Sequence, residues 1–253
     1  MLQTLKQAVA DRLVFLRNPY LSIRTRLLRL ASYHLAFDHI VLRNGMQLHT
    51  DTPEDRATFE SIFFEDMYGL LEYSNALVID IGGHKGYFAL YSILRGADKV
   101  IILECEPSNV KAINSLIDEN GLRDRVKLIP KAASDKDGIA KFLVYATNWS
   151  HSFYSRDGKG QPSEIEVETI SLSTIINERE CGENILVKSN CEGAEIDVFR
   201  EIPLGIREMY ISHHSFASLG AFAFQAHLEK AGFKVTKVSS NSEHSNFHCV
   251  RLE

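Results

Sequence analysis

A chain of 253 residues with a net charge of −5 has room for one large α/β domain with a buried core, and its apolar and charged fractions are those of an ordinary globular protein. The acidic balance gives no reason to expect nucleic acid as a partner. Cys105, Cys181, Cys191 and Cys249 form no C-x-x-C pair and no ligand-like cluster with histidine, so no zinc site is expected and free thiols in a reducing compartment are. The amino terminus lacks the uninterrupted apolar core of a signal peptide, and no stretch approaches the ~18 to 20 apolar residues of a membrane span. The expected location is the cytoplasm.

Residues 1–36 read as one or two amphipathic helices broken near Asn18-Pro19. Leu13, Leu16, Leu27, Leu28 and Leu30 supply an apolar stripe, and six basic side chains (Lys6, Arg12, Arg17, Arg24, Arg26, Arg29) face Asp11 alone. The pattern predicts a helical extension set apart from one domain over residues 37–253. It either caps that domain or makes weak contact with an anionic membrane, a phosphate-bearing substrate or another copy of the chain. "HIVLRNGMQLHT" predicts a hairpin about Asn44-Gly45, and Thr52-Pro53 the start of a helix.

From residue 76 short β runs alternate with helical patterns: "ALVIDI", a helix from Tyr87 to Leu94, "KVIILE", a helix from Ser108 to Asn120, and "RVKLIP". Such alternation predicts a doubly wound, mostly parallel sheet. "IAKFLVYA" and "EIEVETIS" then flank a polar loop, "NILVKSN" and "EMYISHH" resume the sheet, and "FKVTKV" with "FHCVRL" predicts a closing antiparallel pair.

"VIDIGGHKGY" asks what its glycines admit. A dinucleotide turn needs G-x-G-x-x-G and a P-loop needs G-x-x-x-x-G-K-S/T; neither is present. Asp80, two residues before the turn, is poorly placed beside a pyrophosphate but suits an ammonium group. S-adenosylmethionine has no phosphate and a zwitterionic aminoacyl end, and glycines let backbone approach it closely. The next strand ends in "ECEP", where Glu104 and Glu106 both have the spacing to accept ribose hydroxyls.

With these marks the chain resembles the FkbM-type family of S-adenosylmethionine-dependent methyltransferases. "VIDIGGHKGYFALYS", "ECEPS", "PKAASDKDGIAKF" and "ILVKSNCEGAEIDVF" fall in the family's order over roughly residues 55–215. The resemblance implies a class I methyltransferase fold, Rossmann-like, and usually O-methylation of a sugar, lipid-linked or natural-product hydroxyl. It puts Asp80, Gly82, Gly83, Gly86 and Tyr87 at the aminoacyl end of the cofactor, Glu106 on the ribose and Ala132 near the adenine. One departure is Asn190, where the family usually has aspartate. An amide cannot take a proton, so the base must come from elsewhere.

An alcohol is a poor nucleophile until its proton is being removed. The strand ends near "SNCEG" and "SHHS" can supply the base. Alternation turns one of His213 and His214 to the cleft and the other to the core. His214 is the favoured base, as an imidazole near its ordinary pKa of ~6.5, with Glu192 as its orienter or as the alternative base. Glu192 and Glu195 also both read as structural residues that cap the next helix and complement its dipole. A magnesium site would have only Asn190, Glu192 and a histidine, a thin set, so no metal is expected. His151 and Trp149, in the polar loop, are candidates for the acceptor pocket. The expected activity is O-methylation of a small molecule. N-methylation of an amine is the rival, and so is a cofactor-binding partner without catalysis, which Asn190 keeps open.

Overall fold

The computed structural model describes residues 39–42, 44–145, 151–155, 160–177, 184–216 and 219–252. The helical reading of residues 1–36, and Trp149, lie outside the described residues. β1 (His39–Val41) and β2 (Gln47–His49) form the hairpin, with Gly45 at φ +90° in its turn. α1 (Pro53–Phe63) starts with a reciprocal capping box: the Thr52 hydroxyl accepts the Asp55 N–H, and the Asp55 carboxylate accepts the Thr52 N–H.

The main sheet then builds outward from its centre. β3 (Leu77–Ile81), α2 (Tyr87–Leu94), β4 (Lys99–Leu103), α3 (Pro107–Glu119) and β5 (Val126–Ile129) give three neighbouring parallel strands. β6 (Ala132–Ser134), β7 (Gly138–Val144) and β8 (Ser163–Ser171) leave that sheet and form a three-stranded one in the order β6-β8-β7. α4 (Leu172–Asn177) leads back to β9 (Ile185–Ser189), which pairs with β3 on its other side. α5 (Glu195–Val198), β10 (Ile206–His214), α6 (Ala221–Lys230), β11 (Phe233–Ser240) and β12 (His244–Arg251) complete the chain. The seven-stranded order is β11-β12-β10-β9-β3-β4-β5. β12 runs antiparallel to both β10 and β11.

Both faces of this sheet are buried, and for that reason its central strands are unbroken apolar runs. Val78, Val100, Ile102, Leu186 and Tyr210 pack with Phe59, Phe63, Phe88 and Tyr91. On the other face Ile79, Ile101, Val187, Met209 and Ile211 pack with Val198, Phe199, Phe224 and Leu228. Each such side chain contributes about 1.5 to 3 kcal/mol by leaving water. No helix among the described residues is long and apolar enough to cross a membrane. The order of winding reverses between β3 and β9. At such a switch point the crevice beyond the strands' carboxyl ends is where open α/β sheets bind ligands.

Candidate active site

A cavity of about 440 Å³ opens at that switch point. Gly82 forms its floor at φ +73°, and a Cβ there would lie 2.1 Å from the Asn190 carbonyl oxygen. No other residue fits, because both the conformation and the space demand glycine. The Gly82 and Gly83 N–H groups donate to the Leu103 carbonyl at 3.0 and 3.1 Å, which ties the turn to the end of β4. Gly86, at φ +81°, caps α2.

Asp80 lies behind this turn, wholly buried and paired with Lys188 at 2.8 Å across the β3–β9 register. Lys188 also donates to the Gly82 carbonyl at 2.9 Å. Burial works against the Lys188 charge, but the Asp80 carboxylate outweighs it and holds the ammonium above the ordinary lysine range. The second Asp80 oxygen, Oδ2, is buried without a hydrogen-bond partner. Asp80 is thus half of a buried ion pair with one oxygen left over.

The two acids after β4 separate cleanly. Glu104 lines the cavity. Its carboxylate accepts the His84 N–H at 2.8 Å, and those of Cys105 at 3.0 Å and Glu106 at 2.9 Å, so it joins the glycine turn to the start of α3. Burial nevertheless pushes its pKa up to about 7, against the lowering effect of these N–H groups. Glu106 is taken up as the cap of α3, accepting from the N–H groups of Ser108 at 3.0 Å and Asn109 at 2.7 Å. Burial opposes its charge, but the Ser108 and Asn109 hydrogen bonds prevail and lower its pKa. It does not reach the cavity wall.

Opposite the glycine turn, His214 is held between two carboxylates. Nδ1 lies 2.9 Å from Glu195 Oε1 and Nε2 lies 3.3 Å from Glu192 Oε1. Glu195 is completely buried. Burial opposes the imidazolium, yet the hydrogen bonds and charges of Glu192 and Glu195 raise the His214 pKa to about 10. This corrects the expectation of a neutral imidazole: at working pH His214 is already protonated and cannot accept the acceptor's proton. Glu192 adopts φ +53°, a left-handed conformation that an L-residue holds at a cost of the order of 1 to 3 kcal/mol and that clusters at functional sites. His213 points the other way. Its ring packs, tilted, against that of Phe224 with centroids 4.7 Å apart, and its Nε2–H donates to the Leu219 carbonyl at 2.8 Å.

Of the residues singled out in the sequence, Gly82, Gly83, Tyr87, Ala132, Asn190, Glu192, His214 and His151 line this one cavity. The Tyr87 hydroxyl is spent on the His49 carbonyl, so its ring is what the cavity meets. Asp80, Gly86 and Glu106 stand behind the wall. The sequence did not single out Ser212, Glu243 or His244, which also line it. Glu243 and His244 arrive through the β10–β12 register, in which His214 faces His244. No local spacing signals such a neighbour.

The strand order, with its single reversed strand, and the glycine turn facing a strand-end acid define a class I S-adenosylmethionine-dependent methyltransferase. The sequence profile of the methyltransferase FkbM domain matches residues 80–235, more than half the chain, and the chain belongs to the FkbM methyltransferase family. The crystal structure of the FkbM methyltransferase from Methylobacillus flagellatus is similar, with a TM-score of 0.50 at 12% identity over 78% of this chain and 50% of that one. The TrmK protein of M. capricolum, solved with S-adenosylhomocysteine, gives 0.46 at 7% identity over 74% of this chain and 66% of that one. The chain thus spans half of the first structure's length and 66% of the second's. No curated protein matches the sequence significantly.

Proposed function

We propose that this protein methylates a hydroxyl of a small molecule, a sugar, glycolipid or natural product, and that Glu192 receives the hydroxyl proton. The observation that carries this reading is the Glu195–His214–Glu192 clamp on the wall of the cofactor cavity. The residues fit S-adenosylmethionine: backbone glycines at the turn, an unpartnered Asp80 oxygen behind it, Glu104 at a strand end and Ala132 on the far wall. When bound, the cofactor supplies a methyl group made electrophilic by its sulfonium.

The chain's own residues do the rest. Glu104, rather than Glu106, accepts the ribose hydroxyls, because Glu106 is occupied as a helix cap. Asp80 stands behind the turn as a counter-charge to the ammonium group; burial raises its pKa, and the Lys188 charge opposes that rise. Glu192 accepts the proton as the acceptor oxygen forms its bond to carbon. The imidazolium of His214 orients Glu192 and is itself fixed by buried Glu195. Asn190, next to this clamp, offers hydrogen bonds without taking the proton. Positioning of the two reactants supplies much of the rate in such an in-line displacement.

The reading is tested by S-adenosylhomocysteine release with methyl pyranosides, simple alcohols and simple amines, beside calorimetric titration with S-adenosylmethionine, S-adenosylhomocysteine and NAD. Hydroxyl-dependent release and binding of the first two ligands alone are expected. Release with amines only would make the protein an N-methyltransferase, and binding without release under any acceptor would leave the partner role.

A further inference from the structure

In the excursion between β7 and β8, residues 151–155 lie against the domain, and two adjacent residues there take different partners. Ser152 is wholly buried and bridges to Leu143, and its hydroxyl donates to the Glu192 carbonyl at 2.6 Å. The excursion is thereby fastened to the turn that carries Glu192. His151 lines the cavity.

The His151 Nδ1 atom accepts the Tyr145 N–H at 3.1 Å. An imidazole accepting at Nδ1 carries its proton on Nε2 when neutral. Burial lowers the His151 pKa below the ordinary histidine value, against the charges of Glu106 and Glu192, and so favours the neutral ring. Its Nε2 is not among the buried, unpartnered atoms of the described residues. The neutral ring thus carries its N–H on Nε2, at a residue that lines the same cavity as Glu192.

We propose that His151 is a second acceptor-binding residue, whose Nε2–H donates to an acceptor oxygen other than the one methylated. The site then selects acceptors carrying a second oxygen beside the reacting hydroxyl, vicinal diols of the sugar type, over isolated alcohols. This rests on the hydroxyl-transfer reading above. A site built to hydrogen-bond a substrate oxygen discriminates against an analogue lacking it, because its own donor is left unpaired. An ammonium group has no lone pair to offer this donor.

Two measurements test the assignment. The first is imidazole ¹⁵N spectroscopy of the full chain, with the His151 signals identified by their loss in His151→Gln. The Nε2–H tautomer is expected, and an Nδ1–H tautomer overturns the proposal whatever the acceptor. The second compares wild type, His151→Ala and His151→Gln on methyl α-glucopyranoside, its single-deoxy derivatives and cyclohexanol. In His151→Ala the KM for the glucoside should rise roughly 3- to 12-fold, the effect of one neutral hydrogen bond. The cyclohexanol rate and S-adenosylhomocysteine affinity should stay put. His151→Gln, whose amide nitrogen can overlie Nε2, should restore most of the loss. Equal losses on glucoside and cyclohexanol, or weakened S-adenosylhomocysteine binding, would overturn the proposal. A wild type that turns over none of the hydroxyl probes would instead defeat the hydroxyl-transfer reading, and the tautomer would still decide the donor geometry.

Discussion

The two sides of the cavity are made from different material. The glycine side is backbone and one ion pair: Gly82 against the Asn190 carbonyl, the turn's N–H groups on Leu103, and Asp80 locked to Lys188. The opposite side is side chains brought from far apart in the chain: Glu192 and Glu195 after β9, His214 at the end of β10, His151 from the excursion. The first arrangement is suited to holding one invariant cofactor, since backbone geometry varies little with sequence. The second is suited to changing acceptor, since each contributor sits on its own segment and can be replaced alone. Substitutions on the two sides should therefore fail differently, one in binding and stability and the other in turnover.

The largest separation is expected from Glu192→Gln. It removes the proposed proton acceptor while keeping the shape, so turnover should fall by ~10²- to 10⁴-fold with S-adenosylhomocysteine affinity nearly intact. A loss of cofactor affinity matching the loss of rate would merge the two sides. Lys188→Met should do the converse, leaving Asp80 buried and unpaired. Breaking a buried pair costs about 3 to 5 kcal/mol, to be read by denaturant unfolding. A small change in midpoint would mean that the pair is not what holds the turn.

Glu104→Gln should weaken S-adenosylhomocysteine binding by about 1.5 to 3 kcal/mol in calorimetry, the scale of hydrogen bonds to a charged group. Because the Glu104 pKa is raised to about 7, affinity in the wild type should fall as pH is lowered through that value, and the variant should lose this dependence. If Glu106→Ala shows that effect instead, the ribose belongs to Glu106.

The opposite side carries its own pH signature. The His214 pKa rises on folding, from an ordinary 6.5 to about 10. Its contribution to stability is thus fully present below pH ~6.5 and lost as pH climbs through about 10. Thermal melts from pH 7 to 10 should show that decline, and His214→Gln should flatten it. The smallest effect belongs to Glu106→Ala, about 1 kcal/mol of stability for a lost helix cap, with turnover and cofactor affinity unchanged.

The glycine side was legible in the sequence because its determinants are contiguous. Residues 80–87 state the turn, the alternation of apolar runs and helices states the parallel sheet, and Thr52-Pro53 states a helix start. Each depends on local backbone conformation or on a short period, which a linear string displays directly. The choice between Glu104 and Glu106 was not legible. Both have suitable spacing, and only the packed turn shows one carboxylate in the cavity and the other closing α3.

The histidine pair shows the boundary most clearly. Strand alternation dictated that His213 and His214 face opposite ways, and from the sequence alone either face was open. The tertiary structure put the ring of Phe224 on one face and two carboxylates on the other. Those carboxylates also reversed the expected chemistry, since a histidine's charge is set by what surrounds it rather than by its own type. Glu195 reaches His214 from 19 residues away in the chain. Composition and periodicity determine which strands form and which way their side chains alternate. The protonation state of a buried group depends on long-range contacts, and only folding creates them.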